Sequence, residues 1–152
     1  MLYTRLTKLA MKVAYKAHEG ETDRNGLPYI YHPFHLAEYM QTEDTCVVAL
    51  LHDVIEDTDV TMEDLRGYGF TEAQLEAVQF MTHIPPDRVM TKEEQMEDYL
   101  DYVRRLKTNE IARTVKLADL KHNSDITRLN EVTDTDLKRR EKYQKAIEIL
   151  TT

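Results

Sequence analysis

The chain has 152 residues, 41% hydrophobic and 32% charged, a balance that suits a globular unit with a buried core and excludes intrinsic disorder. Its net charge of −8 and pI near 5.2 disfavour a nucleic-acid polymer or an anionic membrane as partner, but leave room for a small anionic ligand met by local cations. The lone Cys46 allows no intrachain disulfide, the N-terminus has no signal-like apolar run and no stretch nears the ~18 apolar residues of a membrane span, so a cytoplasmic location is expected.

Apolar residues recur at helical spacing along most of the chain. Leu6, Leu9, Ala10, Val13, Ala14 and Ala17 predict a first helix that ends near Gly20. "ETDRNGLPYIY" follows as a turn-rich loop, and His32-Pro33 opens a second helix, since proline suits a first turn. Asp44 or Thr45 is the expected cap of a third helix running to about Glu56. "TDVTMEDLRGYG" predicts a short helix and "TEAQLEAVQFMTH" another, capped by Thr71. "IPPDRVMTKEE" is irregular, and helices are expected near 93–107, 109–123 and 134–150. With no alternating strand pattern, repeat or linker, the expected fold is all-α, a compact helical bundle forming one domain over residues 1–152.

One stretch does not fit a plain buried helix. "LLHDVIEDTDVT", residues 50–61, holds one histidine and four acids with no Lys or Arg to compensate them. On a helical wheel with His52 at zero, Glu56 falls at about 40°, Asp53 at about 100° and Asp57 at about 140°. Val47, Leu50, Leu51, Val54 and Ile55 fall opposite, between roughly 160° and 300°. Above the polar face stand only Ala49 and Cys46, whose small size leaves room for a ligand. A helix end emerging into water would also explain Glu56, Asp57 and Asp59, though it explains His52-Asp53 less well.

His32 in "PYIYHPF" and Asp119 in "TVKLADLKHN" are two further polar residues in apolar surroundings. Each has an ordinary reading, His32 as a helix-start hydrogen-bonder and Asp119 as a partner for Lys116 or Lys121. Together with His52 and Asp53 they make two imidazoles and two carboxylates, a donor set suited to Mn, Fe, Co or Zn. Asn123 lies four residues after Asp119 and faces the same way.

The order H…HD…D in a helical chain resembles the HD phosphohydrolase superfamily. "AHEG…GLPYIYHP", "ALLHDVIEDTDVT" and "VKLADLKHN" further resemble three successive motifs of the alarmone-hydrolase domain of RelA/SpoT-type proteins, over about residues 9 to 130. The chain is similar to the small stand-alone hydrolases of that group. The resemblance implies that His32, His52, Asp53 and Asp119 hold one metal ion, typically Mn²⁺. It gives Glu56 and Asp57 the task of aligning and deprotonating the attacking water. It also places Arg24 and Asn123 at the nucleotide; Asn25 and, as a phosphate counter-charge, Lys116 are further candidate substrate-binding residues. The implied reaction removes pyrophosphate from the 3′ position of ppGpp or pppGpp, leaving GDP or GTP. Another nucleotide, cut as by a 5′-nucleotidase, and a non-catalytic nucleotide sensor are the alternatives.

The chain leaves the family pattern in places. Thr22-Asp23-Arg24 stands where an aromatic residue and Arg-Lys usually embrace the base, so Asp23 reverses a charge there. Asp125 and Ile126 replace an Arg and a Thr after Asn123, and "EDYLDYVRRLKTNE" replaces an Asn-x-Arg-Lys run. A shifted base preference is therefore expected, with Asp23→Arg favouring a guanine alarmone over its adenine counterpart. His35 and His83 are expected at the surface or at helix ends, and Tyr99 and Tyr102 in packing. Arg104, Arg105 and Lys121 are further candidate phosphate counter-charges. His122 sits about 300° from Asp119 on the wheel and is expected off the site face.

Overall fold

The computed structural model describes residues 1–152, and almost all of its regular structure is helical. Helix α1 spans Arg5–Ala17, α2 Tyr31–Glu38, α3 Glu43–Leu51, α4 Val54–Asp57 and α5 Met62–Tyr68. After α6, Glu72–Met81, the irregular segment leads into α7, Lys92–Leu106. Helix α8 spans Glu110–Asn123, a 3₁₀ turn covers Ile126–Arg128, and α9 runs Asp134–Thr151.

Most helix starts carry the same local device. Thr4, Thr42, Thr61, Thr71, Thr91 and Thr133 each accept a hydrogen bond from the N3 amide, while the cap's own amide donates to the N3 side chain. Two otherwise orphaned amides are satisfied at each end, at a typical gain of ~1 kcal/mol. Thr71 caps as the sequence predicts. The start of α3 differs: Thr42 is its cap, and Thr45, with Asp44 in the first turn, answers from inside the helix.

Helix α3 is the central element. Residues 45–51 are all buried, so it is apolar on every side, and α1, α2, α6 and α8 pack around it. The core joins α3 with Leu36, Leu75, Val78, Leu106, Val115, Leu120, Ala146 and Leu150 into one cluster. No helix is long and apolar enough to cross a membrane.

The third helix also ends earlier than its pattern predicts. It stops at Leu51, Asp53 takes φ −104° and ψ 0°, and α4 then restarts. This break decides the geometry of the site, because it frees Asp53 from the direction a continuous helix would impose.

Candidate active site

His32 enters from the first turn of α2, His52 and Asp53 from the break between α3 and α4, and Asp119 from the middle of α8. Single ligand atoms of His32, His52 and Asp53 all lie within 4.8 Å of one another. Asp119 Oδ1 adds itself at 2.9 Å from His32 Nε2 and 3.6 Å from His52 Nε2. His52 Nε2 is 3.1 Å from Asp53 Oδ2. On an unbroken helix these two side chains would diverge by about 100°. The break turns them onto one point.

The hydrogen bonds around the cluster set its protonation. His52 Nδ1 is 2.7 Å from the Ala49 carbonyl, to which it donates, so in the neutral ring Nε2 carries the lone pair. That Nε2 is buried without a hydrogen-bond partner and faces two carboxylate oxygens. Beside two anionic oxygens that nitrogen needs a cation, a proton in the metal-free protein or a metal ion in its place. Burial opposes charge on His52, but Asp53 and Asp119 outweigh it and raise its pKa well above the usual imidazole range. Asp119 is opposed by burial in the same way, yet Lys116 and the two imidazoles hold it well below the usual carboxylate range. The Tyr29 phenol, kept protonated by burial and then by the Asp53 charge, donates to Asp53 Oδ2. Two imidazole nitrogens, two carboxylates and an unsatisfied lone pair fit a divalent transition metal.

His122 belongs to this site, contrary to the expectation from the wheel. Its Nδ1 is 2.7 Å from His32 Nδ1, and the two rings lie nearly in one plane, with centroids 4.9 Å apart and an interplanar angle of 4°. An offset of about 300° is only about 60° measured the other way, well within reach of the same face. Burial first, then Arg128, lowers the His122 pKa to about 3, so it is neutral and can accept from His32 Nδ1–H. That leaves His32 Nε2 free to ligate, the usual role of a hydrogen bond behind a metal-binding histidine. His35 is half-buried and stacks on His122 at 4.0 Å.

Glu56 and Asp57, on α4, stand beside the cluster and remain solvent-exposed. Partial desolvation beside the cluster is the main cause of a raised pKa in both, with the Asp53 charge adding to it. The backbone amide of His83 donates to Glu56 Oε1 and partly offsets the rise. His83 is not a plain surface residue: it is half-buried, pairs with Asp98 at 2.8 Å and stacks on Tyr102 at 4.6 Å.

A cleft of about 340 Å³ opens on His32 and is lined by Arg24, Asn25, Asn123, Arg128, Arg139 and Tyr143, among others. Asn123 Nδ2 donates to Asp119 Oδ1 at 3.0 Å, and Asn25 accepts from the Asn130 amide at 3.0 Å. Arg24 is bound to Asp136 of α9. Lys116 lies outside the cleft, paired with Asp119 Oδ2 at 2.9 Å. Arg104 pairs with Glu97 and Asp101 on the exposed side of α7, and Arg105 is also exposed. Lys121 lines a separate groove beside His35 and Tyr39.

Asp23 lines the cleft too, but its carboxylate is engaged by its own loop. Oδ1 accepts the amides of Asn25 at 2.8 Å and Leu27 at 3.0 Å, closing a turn in which Gly26 takes φ +80°. Asp23→Arg thus removes a turn cap as well as a charge. We expect it to weaken binding of an anionic ligand in the cleft through the displaced Arg24 and Asn25, while Asp23→Asn, which keeps the acceptor, retains most of it. Tighter binding in Asp23→Arg than in wild type, by calorimetry, would show that charge outweighs the turn.

An HD-domain model matches residues 10–150. The chain belongs to the HD-domain family. It is 36% identical over 119 residues to the bifunctional (p)ppGpp synthase/hydrolase SpoT of Escherichia coli K12, covering 75% of this chain and 17% of that protein. It is 52% identical over 68 residues to the guanosine-3′,5′-bis(diphosphate) 3′-pyrophosphohydrolase of Vibrio cholerae, covering 41% of this chain and 10% of that one. The chain thus spans less than a fifth of these relatives. Its fold matches a solved structure described as a metazoan ortholog of SpoT that hydrolyses ppGpp, with TM-score 0.71 and 22% identity, over 99% of this chain and 85% of that one.

Proposed function

We propose that this HD-domain chain, acting as one domain over residues 1–152, hydrolyses the 3′-pyrophosphate of ppGpp or pppGpp in the cytoplasm. The observation that carries the reading is the convergence of His32, His52, Asp53 and Asp119 beside an arginine-bearing cleft. The names of the relatives support the substrate class. The four residues are assigned as ligands of one divalent ion, with Mn²⁺ the favoured metal. When bound, such an ion supplies positive charge that polarises a phosphoryl oxygen and makes water a better nucleophile.

The chain's own residues do the rest. Arg24, Asn25 and Asn123 orient the nucleotide in the cleft, and Tyr29 and His122 hold Asp53 and His32 in place. Lys116 holds Asp119 through its ion pair, from outside the cleft. Glu56 or Asp57 takes a proton from the attacking water. The water oxygen bonds to the phosphorus next to the ribose, the bond from that phosphorus to the 3′ oxygen breaks, and the 3′ oxygen gains a proton. The products are GDP or GTP and pyrophosphate.

A nucleotide panel tests the proposal: metal-loaded protein should cut 3′-pyrophosphorylated nucleotides and leave 5′-monophosphates intact. The opposite pattern would favour a nucleotidase. Within the site, His122→Phe should keep the packing on His35 but lower metal affinity about 10- to 100-fold, the usual cost of losing such a partner. Unchanged affinity by metal titration would mean that another group orients His32.

A further inference from the structure

Five cations surround the cluster and cleft, and three are engaged: Arg24 by Asp136, Lys116 by Asp119 and Arg128 by the His122 carbonyl. Arg139 and Lys142 form no ion pair. They lie three residues apart on α9, on the same side of the helix. Arg139 is exposed, and water solvates it. Lys142 is half-buried, and its position is harder to account for.

The Lys142 ammonium lies 4.6 Å from the centroid of the Tyr99 ring and 5.3 Å from that of Tyr143, which lines the cleft. Ring faces attract a cation by ~0.5–2 kcal/mol, less than the hydration that burial removes. The charges that act on Lys142 are Arg139 and Lys116, both positive; burial first, then these two, lowers its pKa. No carboxylate compensates it. Beside it the Tyr99 hydroxyl is buried with no hydrogen-bond partner, a rare condition for a polar group. The Tyr99 ring lies 6.1 Å from that of His83, whose amide holds Glu56, and 5.9 Å from that of Tyr102, over which Lys116 stands at 5.6 Å, so it borders the residues around the metal cluster.

An ammonium without a counter-ion and a hydroxyl without a partner are satisfied together by an anion with several oxygens. We propose that Lys142 and Tyr99 form a subsite for the outer phosphate of a diphosphate, the phosphate farther from the ribose. The inference rests on the pyrophosphohydrolase reading and adds a residue pair that selects a diphosphate over a monophosphate. It draws one cation from α9 and one hydroxyl from α7, the segment where the chain departs from its family's Asn-x-Arg-Lys run.

The test titrates inorganic pyrophosphate and orthophosphate into metal-loaded wild type, Lys142→Met, Lys142→Arg and Tyr99→Phe, with Mn²⁺ in excess over the anion. Lys142→Met should weaken pyrophosphate about 10- to 100-fold and Tyr99→Phe about 3- to 10-fold, with orthophosphate weakened several-fold less in each. Lys142→Arg should recover most of the affinity. Neither Lys142→Met nor Tyr99→Phe removes a partnered polar group, so both should melt at or above the wild-type temperature. Unchanged pyrophosphate affinity in Lys142→Met, or an equal factor for both anions, would overturn the subsite. Failure of wild type to cut ppGpp would instead overturn the proposed function, and the anion titration distinguishes the two because it needs no turnover.

Discussion

Asp119→Ala should be the most damaging single change at this site, in metal-free protein as well as in metal-loaded protein. Asp119 is 4% exposed and serves three partners: His32 at 2.9 Å, Lys116 at 2.9 Å and Asn123 at 3.0 Å. Its removal leaves the Lys116 ammonium, whose side chain is 13% exposed, without a counter-charge. Breaking a buried pair from one side typically costs ~3–5 kcal/mol. For a chain of this size that is a melting-temperature loss of roughly 10 °C. Asp53→Ala makes the contrast. Its side chain is 23% exposed, and its loss strands chiefly the Tyr29 hydroxyl, a cost of ~1–2 kcal/mol. Both variants should lose the extra stability that metal confers, so chelator should no longer lower their melting temperatures. Thermal melts with and without chelator check both statements. A chelated Asp119→Ala that melts with chelated wild type would reduce Asp119 to a ligand alone. Chelator-sensitive melting in both variants would remove them from the metal centre.

Glu56→Gln and Asp57→Asn should keep metal and fold while losing about 10²–10⁴-fold in kcat, the usual contribution of a general base. Burial raises the pKa of both carboxylates, so exchanging either for a neutral amide relieves a cost and should not lower the melting temperature. The sign of the pH effect follows from the same shifts. The ionised form accepts the proton, so activity should fall as pH drops through the carboxylate range; in metal-free protein both groups titrate above the ordinary 4.5 of Glu and 3.8 of Asp, and a bound divalent cation should move them down. Of the two, Glu56 is the more constrained, because the His83 amide holds one of its oxygens. Metal loss in either variant would make that residue a ligand. Full turnover in both would return them to a solvated helix end.

Much of this was legible in the sequence, for physical reasons that differ by element. The 3.6-residue period of α1, α6, α8 and α9 reflects one buried face each, and those helices fall within a few residues of their expected bounds. Helix α3 is buried on every side, so its period carries no information about where it stops. No glycine or proline marks the break at His52-Asp53; residues distant in sequence, His32 and Asp119, meet the two side chains there. The same holds for Asp23. A carboxylate in a loop reads as a charge offered to a ligand, whereas only coordinates show it capping the Asn25 and Leu27 amides. His122 lies only about 60° from Asp119 on the helical wheel, so its place at the site was legible in the sequence. Lys142 and the Tyr99 hydroxyl gave no signal, since an unpaired cation can be recognised only after every neighbour is placed.

The most direct test of the central claim follows metal-loaded protein with ppGpp by ³¹P NMR, in water enriched in ¹⁸O. GDP and pyrophosphate should form in equal amounts, with the heavy oxygen in pyrophosphate, and no reaction should occur in chelator or in Asp53→Ala. Intact ppGpp under conditions where the protein releases phosphate from a 5′-monophosphate would contradict it.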